Sequence, residues 1–169
     1  MIIVHHLENS RSQRVLWLLE ELGLPYEVRR YARDATTMLA PPELKAIHPL
    51  GKSPVIEDDG AIIAETGAVF EYILDTYAAG RLSAPAGTPQ ARKLSYWLHY
   101  AEGSAMPPLL LKLVFMRMSE GAPGLLRPII RQVAGKVQAQ LVNPQLASHL
   151  AYWENELAAT GWFAGADLS

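Results

Sequence analysis

A chain of 169 residues is long enough for one ordinary domain or two small ones, and for a real core. Half of it is hydrophobic and 19% is charged, which excludes intrinsic disorder and fibrous architectures. With 15 Lys and Arg against 17 Asp and Glu, the formal charge of −2 lacks the basic excess of a nucleic-acid binder. Cysteine is absent, which removes disulfides, thiolate metal sites and every mechanism that needs a protein thiol. Any sulfur chemistry must therefore come from a bound ligand.

The first strand reads from Ile2-Ile3-Val4-His5-His6-Leu7, a short β-branched run. After the polar turn Glu8-Asn9-Ser10, apolar residues recur at helical spacing from Val15 to Leu22, and Gly23 with Pro25 supplies the stop. Tyr26 to Tyr31 alternates as a second strand, which makes the opening a β-α-β unit with a right-handed parallel crossover. Pro41 to Ala46 predicts a short helix ending before Pro49. Pro54-Val55-Ile56-Glu57 and Ala61-Ile62-Ile63-Ala64 flank Asp58-Asp59-Gly60 and predict a hairpin. Val69, Phe70, Ile73, Leu74 and Tyr77 then mark a helix, so residues 1–80 read as βαβαββα.

Residues 81–89, rich in Gly, Ser, Pro and Ala, read as a linker. Residues 90–169 carry helical patterns only. Pro107-Pro108 should kink or restart the first of these helices before Leu109 to Met118. Ala122-Pro123-Gly124 should open another, with Leu126, Ile129, Ile130, Val133, Val137 and Leu141 on its stripe, and Asn143-Pro144 should interrupt it. The last helix is predicted to end near Ala159, before Gly161. Up to Gly80 there are 7 basic and 12 acidic residues, and from Arg81 onward 8 and 5, which fits two units that differ in kind. The fold class is α+β. The N-terminus has no basic leader, and the longest apolar run, Pro107 to Met116, is broken by Lys112 and too short for a bilayer. A cytoplasmic protein without membrane or nucleic-acid partners is expected.

An α/β unit of this order binds ligands at the carboxyl ends of its strands. Three loops should meet there: Glu8 to Arg11, Lys52-Ser53-Pro54 and Glu65-Thr66. They offer hydroxyls, two cations, carboxylates and free backbone N–H groups, which suits a ligand carrying both charge signs. His5-His6 looks like a metal pair, but adjacent strand residues face opposite ways and no further ligand spacing accompanies them, so no metal site is assigned. Trp17, Trp97, Trp153 and Trp162 are assigned to packing.

His48-Pro49-Leu50-Gly51-Lys52-Ser53-Pro54-Val55, then Glu65-Thr66 opening a helix, resemble the glutathione-binding half of glutathione transferases. The segment Leu16-Trp17-Leu18-Leu19-Glu20-Glu21-Leu22-Gly23-Leu24-Pro25-Tyr26-Glu27 strengthens the match. The resemblance spans essentially the whole chain. It implies a thioredoxin-like first domain, an all-helical second one and glutathione as co-substrate, with no metal. It further implies that Pro54 is cis, that Ser53 presents backbone groups to the cysteinyl unit and that Lys52 faces the glycine carboxylate. Glu65 would take the γ-glutamyl ammonium, and Thr66 the neighbouring carboxylate at a helix N-terminus, a natural anion site. Arg11 is a further candidate for the ligand's carboxylate or sulfur.

A free thiol titrates near a pKa of about 8.5, so a transferase must hold the glutathione sulfur as thiolate with a donor aimed at it. In the family that donor follows the first strand and is Tyr, Ser or Cys. Neither Tyr nor Cys stands at Glu8 to Arg11, so the resemblance is to serine-type, theta-like enzymes, with Ser10 as the catalytic hydroxyl, Ser12 as the fallback and Asn9 assisting. The alternative reading of Ser10 is a residue that only caps the first helix. By the same analogy the electrophile pocket is expected between the domains, with Met106, Leu110, Val114 and Phe115 as candidates, although each also reads as core. Glu102 is a candidate for reaching the neighbouring subunit's glutathione in a homodimer. Organic peroxides are an alternative substrate of the same thiolate. The rival reading is a non-catalytic interaction or ligand-carrier module of the same fold. Against the family the chain is short: it ends at Ala166-Asp167-Leu168-Ser169, where relatives place a helix cap and a central helix, so a fragment or part of a longer chain is expected.

Overall fold

The computed structural model describes residues 1–165, so the expected helix cap at 166–169 lies outside the described residues. The chain divides into two compact units between Ser83 and Ala84. In the first, β1 (Ile2–Leu7), α1 (Ser12–Leu22), β2 (Tyr26–Tyr31), α2 (Pro42–Ile47), β3 (Val55–Asp58), β4 (Ala61–Ala64) and α3 (Thr66–Tyr77) follow in order. The sheet order is β2-β1-β3-β4, with β1 and β2 parallel and the other pairs antiparallel. This is the thioredoxin-like arrangement expected from the sequence.

Alternation along β1 separates two faces. Ile2 and Val4 join Ile56, the α1 stripe Val15, Leu18, Leu19 and Leu22, and Val69, Ile73 and Leu74 of α3 in one core. His5, paired with Val55, is buried on the opposite face, where its Nδ1 meets the Tyr31 hydroxyl at 2.8 Å. Gly23 ends α1 at φ 64°, a left-handed turn that lets its N–H and that of Leu24 return to the carbonyls of Glu20 and Leu19. Asp58, at the end of β3, is buried and accepts hydrogen bonds from the Tyr72 and Tyr77 hydroxyls of α3. Trp17 departs from its packing assignment: it is half exposed, on the outer side of α1, where its indole donates to Glu21 at 3.0 Å.

The second unit consists of α4 (Pro89–Tyr100), α5 (Met106–Glu120), α6 (Arg127–Val137) and α7 (Asn143–Thr160). One π-helical turn, Ala101–Ala105, joins α4 to α5, and another, Gln138–Val142, joins α6 to α7. Each precedes a proline-bearing first turn. Pro107 and Pro108 have no N–H for the carbonyls four residues back, and the wider turn absorbs that loss without breaking the helical path. The expected opening of α6 at Ala122 falls five residues early. Its stripe is less buried than its period implies, because Leu126, Ile129, Val133 and Leu141 are about half exposed. Order comes instead from aromatic contacts: Trp97 stacks on Tyr152 at 5.3 Å, and Trp153 donates to the Tyr100 hydroxyl at 3.2 Å. No helix among the described residues is long and apolar enough to cross a membrane.

Candidate active site

The loops at the carboxyl end of β1, before β3 and after β4 enclose a cavity of about 90 Å³. Arg11, Lys52, Ser53, Pro54, Glu65 and Thr66 line it, and these are the six residues assigned to glutathione from the sequence. His48, Leu50 and Ala64 line it too, without having been assigned a role. The signal for His48 and Leu50 was their place in the His48-to-Val55 segment; what was missed is that both are brought into the lining by the turn after α2. Its geometry is fixed by the bond from the Gly51 N–H to the His48 carbonyl at 2.8 Å, with Gly51 at φ 55°.

The Ser53–Pro54 peptide is cis, as the resemblance implies. The Ser53 hydroxyl donates to the His5 carbonyl at 2.9 Å and accepts from the Leu7 N–H at 3.4 Å. It therefore ties the turn to β1, and its single proton is not available to a ligand. Glu65 sits at the N-cap of α3 with φ 74° and ψ 133°, outside the basins open to most L residues. Its carbonyl accepts from the Val69 N–H at 2.9 Å, and the buried Thr66 begins the helix. An exposed carboxylate thus stands beside the positive end of a 12-residue helix, one group suited to an ammonium and the other to a carboxylate.

Ser10, Ser12 and Asn9 are not among the residues lining the cavity; Ser10 adjoins it through Arg11. The Ser10 and Ser12 hydroxyl oxygens lie 2.7 Å apart, the Ser12 Oγ lies 2.8 Å from Nδ1 of His6, and the Ser12 N–H donates to the Ser10 Oγ at 3.3 Å. Ser12 is fully buried, whereas Ser10 is half-buried. Ser10 thus does some of the work of a cap, one position before Arg11, the N-cap of α1. The turn is held from outside by Arg33, whose Nε donates to the Glu8 carbonyl at 2.8 Å and whose NH2 group donates to the Asn9 carbonyl at 3.3 Å. Asn9 itself is exposed, at φ 51°.

In the second unit, Met106, Leu110 and Val114 repeat every fourth residue along α5, where they share one stripe, and Phe115 adjoins it. Leu110 and Val114 are half exposed, while Met106 and Phe115 are less so. Glu102 lies in the first π turn. Among the described residues, no cluster of three or more His, Cys, Asp and Glu could hold a metal ion.

Fold and site define an α+β protein whose thioredoxin-like first unit carries a two-signed cavity at a cis-proline turn, followed by a helical unit. The family model of the glutathione S-transferase N-terminal domain matches residues 1–75. Glutathione S-transferase 3 of Schizosaccharomyces pombe is 34% identical over 165 residues, covering 98% of this chain and 67% of that protein. Glutathione S-transferase 1 of Saccharomyces cerevisiae is 35% identical over 181 residues, covering 99% and 77%. The crystal structure of a glutathione S-transferase from Actinobacillus pleuropneumoniae superimposes with a TM-score of 0.72 at 34% identity, over 100% of this chain and 72% of that one. The chain belongs to the glutathione S-transferase family. Its enzyme class is glutathione transferase.

Proposed function

We propose that the first unit binds glutathione in this cavity and that the Ser10 hydroxyl holds its sulfur as thiolate. Lys52 then faces the glycine carboxylate and the Ser53 backbone the cysteinyl unit. Glu65 takes the γ-glutamyl ammonium, Thr66 and the α3 N-terminus the adjacent carboxylate, and Arg11 adds a cation at the rim. The observation that carries this reading is the convergence of Arg11, Lys52, Ser53, Pro54, Glu65 and Thr66 on one cavity. The thiolate attacks a small hydrophobic electrophile, forming a carbon–sulfur bond as a leaving group departs or as a proton is taken up. With an organic peroxide it would instead cleave the O–O bond, and a second glutathione would complete reduction to alcohol, water and the disulfide. The α5 stripe of Met106, Leu110, Val114 and Phe115 is the proposed electrophile-facing surface. A cytoplasmic homodimer with Glu102 reaching the partner's ligand completes the reading.

One observation favours a second reading, a glutathione-binding module without catalysis: Ser10 lies outside the cavity lining and is already engaged with Ser12. Calorimetry with glutathione and turnover of a model aryl halide by the wild type and Ser10→Ala separate the two. Tight binding with turnover that the substitution abolishes supports the transferase. Binding without turnover supports the module, and an active, unaltered Ser10→Ala refutes the serine's role.

A further inference from the structure

We infer that His6 is a positioning residue that sets the direction of the His6–Ser12–Ser10 hydrogen-bond chain, and so decides whether Ser10 can offer its proton to the sulfur; this rests on the role given to Ser10 above. The three groups form one line, with Nδ1 of His6 2.8 Å from the Ser12 Oγ and that oxygen 2.7 Å from the Ser10 Oγ. Each hydroxyl owns a single proton. Ser12 is fully buried, so its proton points either to His6 or to Ser10.

If Nδ1 is bare, Ser12 donates to it, and only the proton of Ser10 can fill the remaining link. Ser10 is then an acceptor toward everything else and has nothing for a thiolate. If Nδ1 carries a proton, His6 donates to Ser12 and Ser12 donates to Ser10. The Ser10 oxygen then accepts twice, from the Ser12 hydroxyl and the Ser12 N–H at 3.3 Å, and its own proton is free and polarised toward the ligand. A thiolate beside Ser10 selects this second arrangement. The topology supplies the parts: His6 shares the α1-facing side of β1 with Ile2 and Val4, and Ser12 is the first residue of α1. His5, one residue earlier, faces away and takes no part.

The test reads the imidazole nitrogens of His6 by nitrogen-15 NMR in the glutathione complex of the wild-type chain, with kinetics of three variants beside it. The expected result is a proton on Nδ1. His6→Ala leaves the Ser12 oxygen short of a donor, so that it competes for the proton of Ser10. It should raise the thiol titration read by thiolate absorbance and lower kcat about fivefold, the size of one net hydrogen bond, at unchanged KM for glutathione. His6→Asn, which returns an amide donor near the place of Nδ1, should recover most of the loss. A bare Nδ1 in the complex, or a His6→Ala chain as active as the wild type while Ser10→Ala is dead, overturns the inference and leaves the role of Ser10 standing. A Ser10→Ala chain with an unchanged thiol titration overturns both.

Discussion

Glu65 allows backbone strain and ligand binding to be separated at one position. Its φ of 74° with ψ of 133° is a conformation that costs an L residue about 1–3 kcal/mol. It persists because Glu65 is fixed on both sides, by β4 ending at Ala64 and by the Val69 N–H bonded to its carbonyl. Glu65→Gly removes that strain but adds about 0.5–1 kcal/mol of backbone entropy on folding, for a net gain of about 1 kcal/mol. For a chain of this size the melting temperature should rise by about 2–4 °C. Glu65→Ala keeps the strain and should melt with the wild type. Both variants lose the carboxylate proposed to hold the γ-glutamyl ammonium. Because Glu65 is exposed, the low end of a charge-assisted hydrogen bond applies, and the glutathione Kd should rise about tenfold in each. Scanning calorimetry without ligand and titration calorimetry with glutathione measure the two effects. Equal melting temperatures for the Gly and Ala variants would refute the strain argument. An unchanged Kd in both would refute the assigned ligand contact.

Arg33→Met removes the donors to the Glu8 and Asn9 carbonyls, so amide hydrogen exchange at residues 8–10 should accelerate and kcat should fall while the melting temperature moves by only a few degrees; unaltered exchange would show that the turn holds itself. Asp58→Ala leaves the Tyr72 and Tyr77 hydroxyls without their acceptor and should cost about 2–3 kcal/mol in urea unfolding, against little loss in Asp59→Ala, whose residue is exposed. Acid stability should fall in two stages. Burial, then the charge of Arg29, depress His5 below its ordinary 6.5 against the pull of Glu57, so the unfolded chain binds the proton more readily, and stability is lost as pH falls below about that value. For Asp58, burial alone would raise the pKa, but the hydrogen bonds from Tyr77 and Tyr72 together with the Met1 ammonium hold it below its ordinary 3.8, so its contribution is lost only below that pH. A urea midpoint that stays flat from pH 7 to pH 5 would contradict the His5 stage.

Much of the first unit could be read directly because its elements are short and sharply punctuated. Gly23 after a 3.6-period stripe and Asp59-Gly60 between two apolar runs each leave one local solution, and α1 and the β3–β4 hairpin follow them closely. The second unit was less legible for two reasons. Proline patterns announce an interruption but not its form, and here a π turn carries the helix onward where a break was one expectation. Periodicity also says which residues share a face without saying whether it is covered, so Ile129 and Val133 share a stripe and yet stay exposed. In the site, the charged residues were legible from their motif. The strain at Glu65 and the link from His6 to Ser12 were not, since neither a backbone dihedral nor an encounter between a strand end and a helix start is written in spacing.

The π turn at Ala101–Ala105 has a consequence for how this scaffold can change. A π turn amounts to one residue more than an α-helix needs, and each residue advances the helix by about 100°. Deleting a single residue within it would therefore let the turn close to α-helix with Met106, Leu110 and Val114 kept on the face they already present, whereas the same deletion inside α5 would swing every later side chain by about 100° around the axis. The π turn is thus a place in this unit where the chain can lose a residue without re-aiming the stripe beyond it, a tolerance that point substitutions do not reveal.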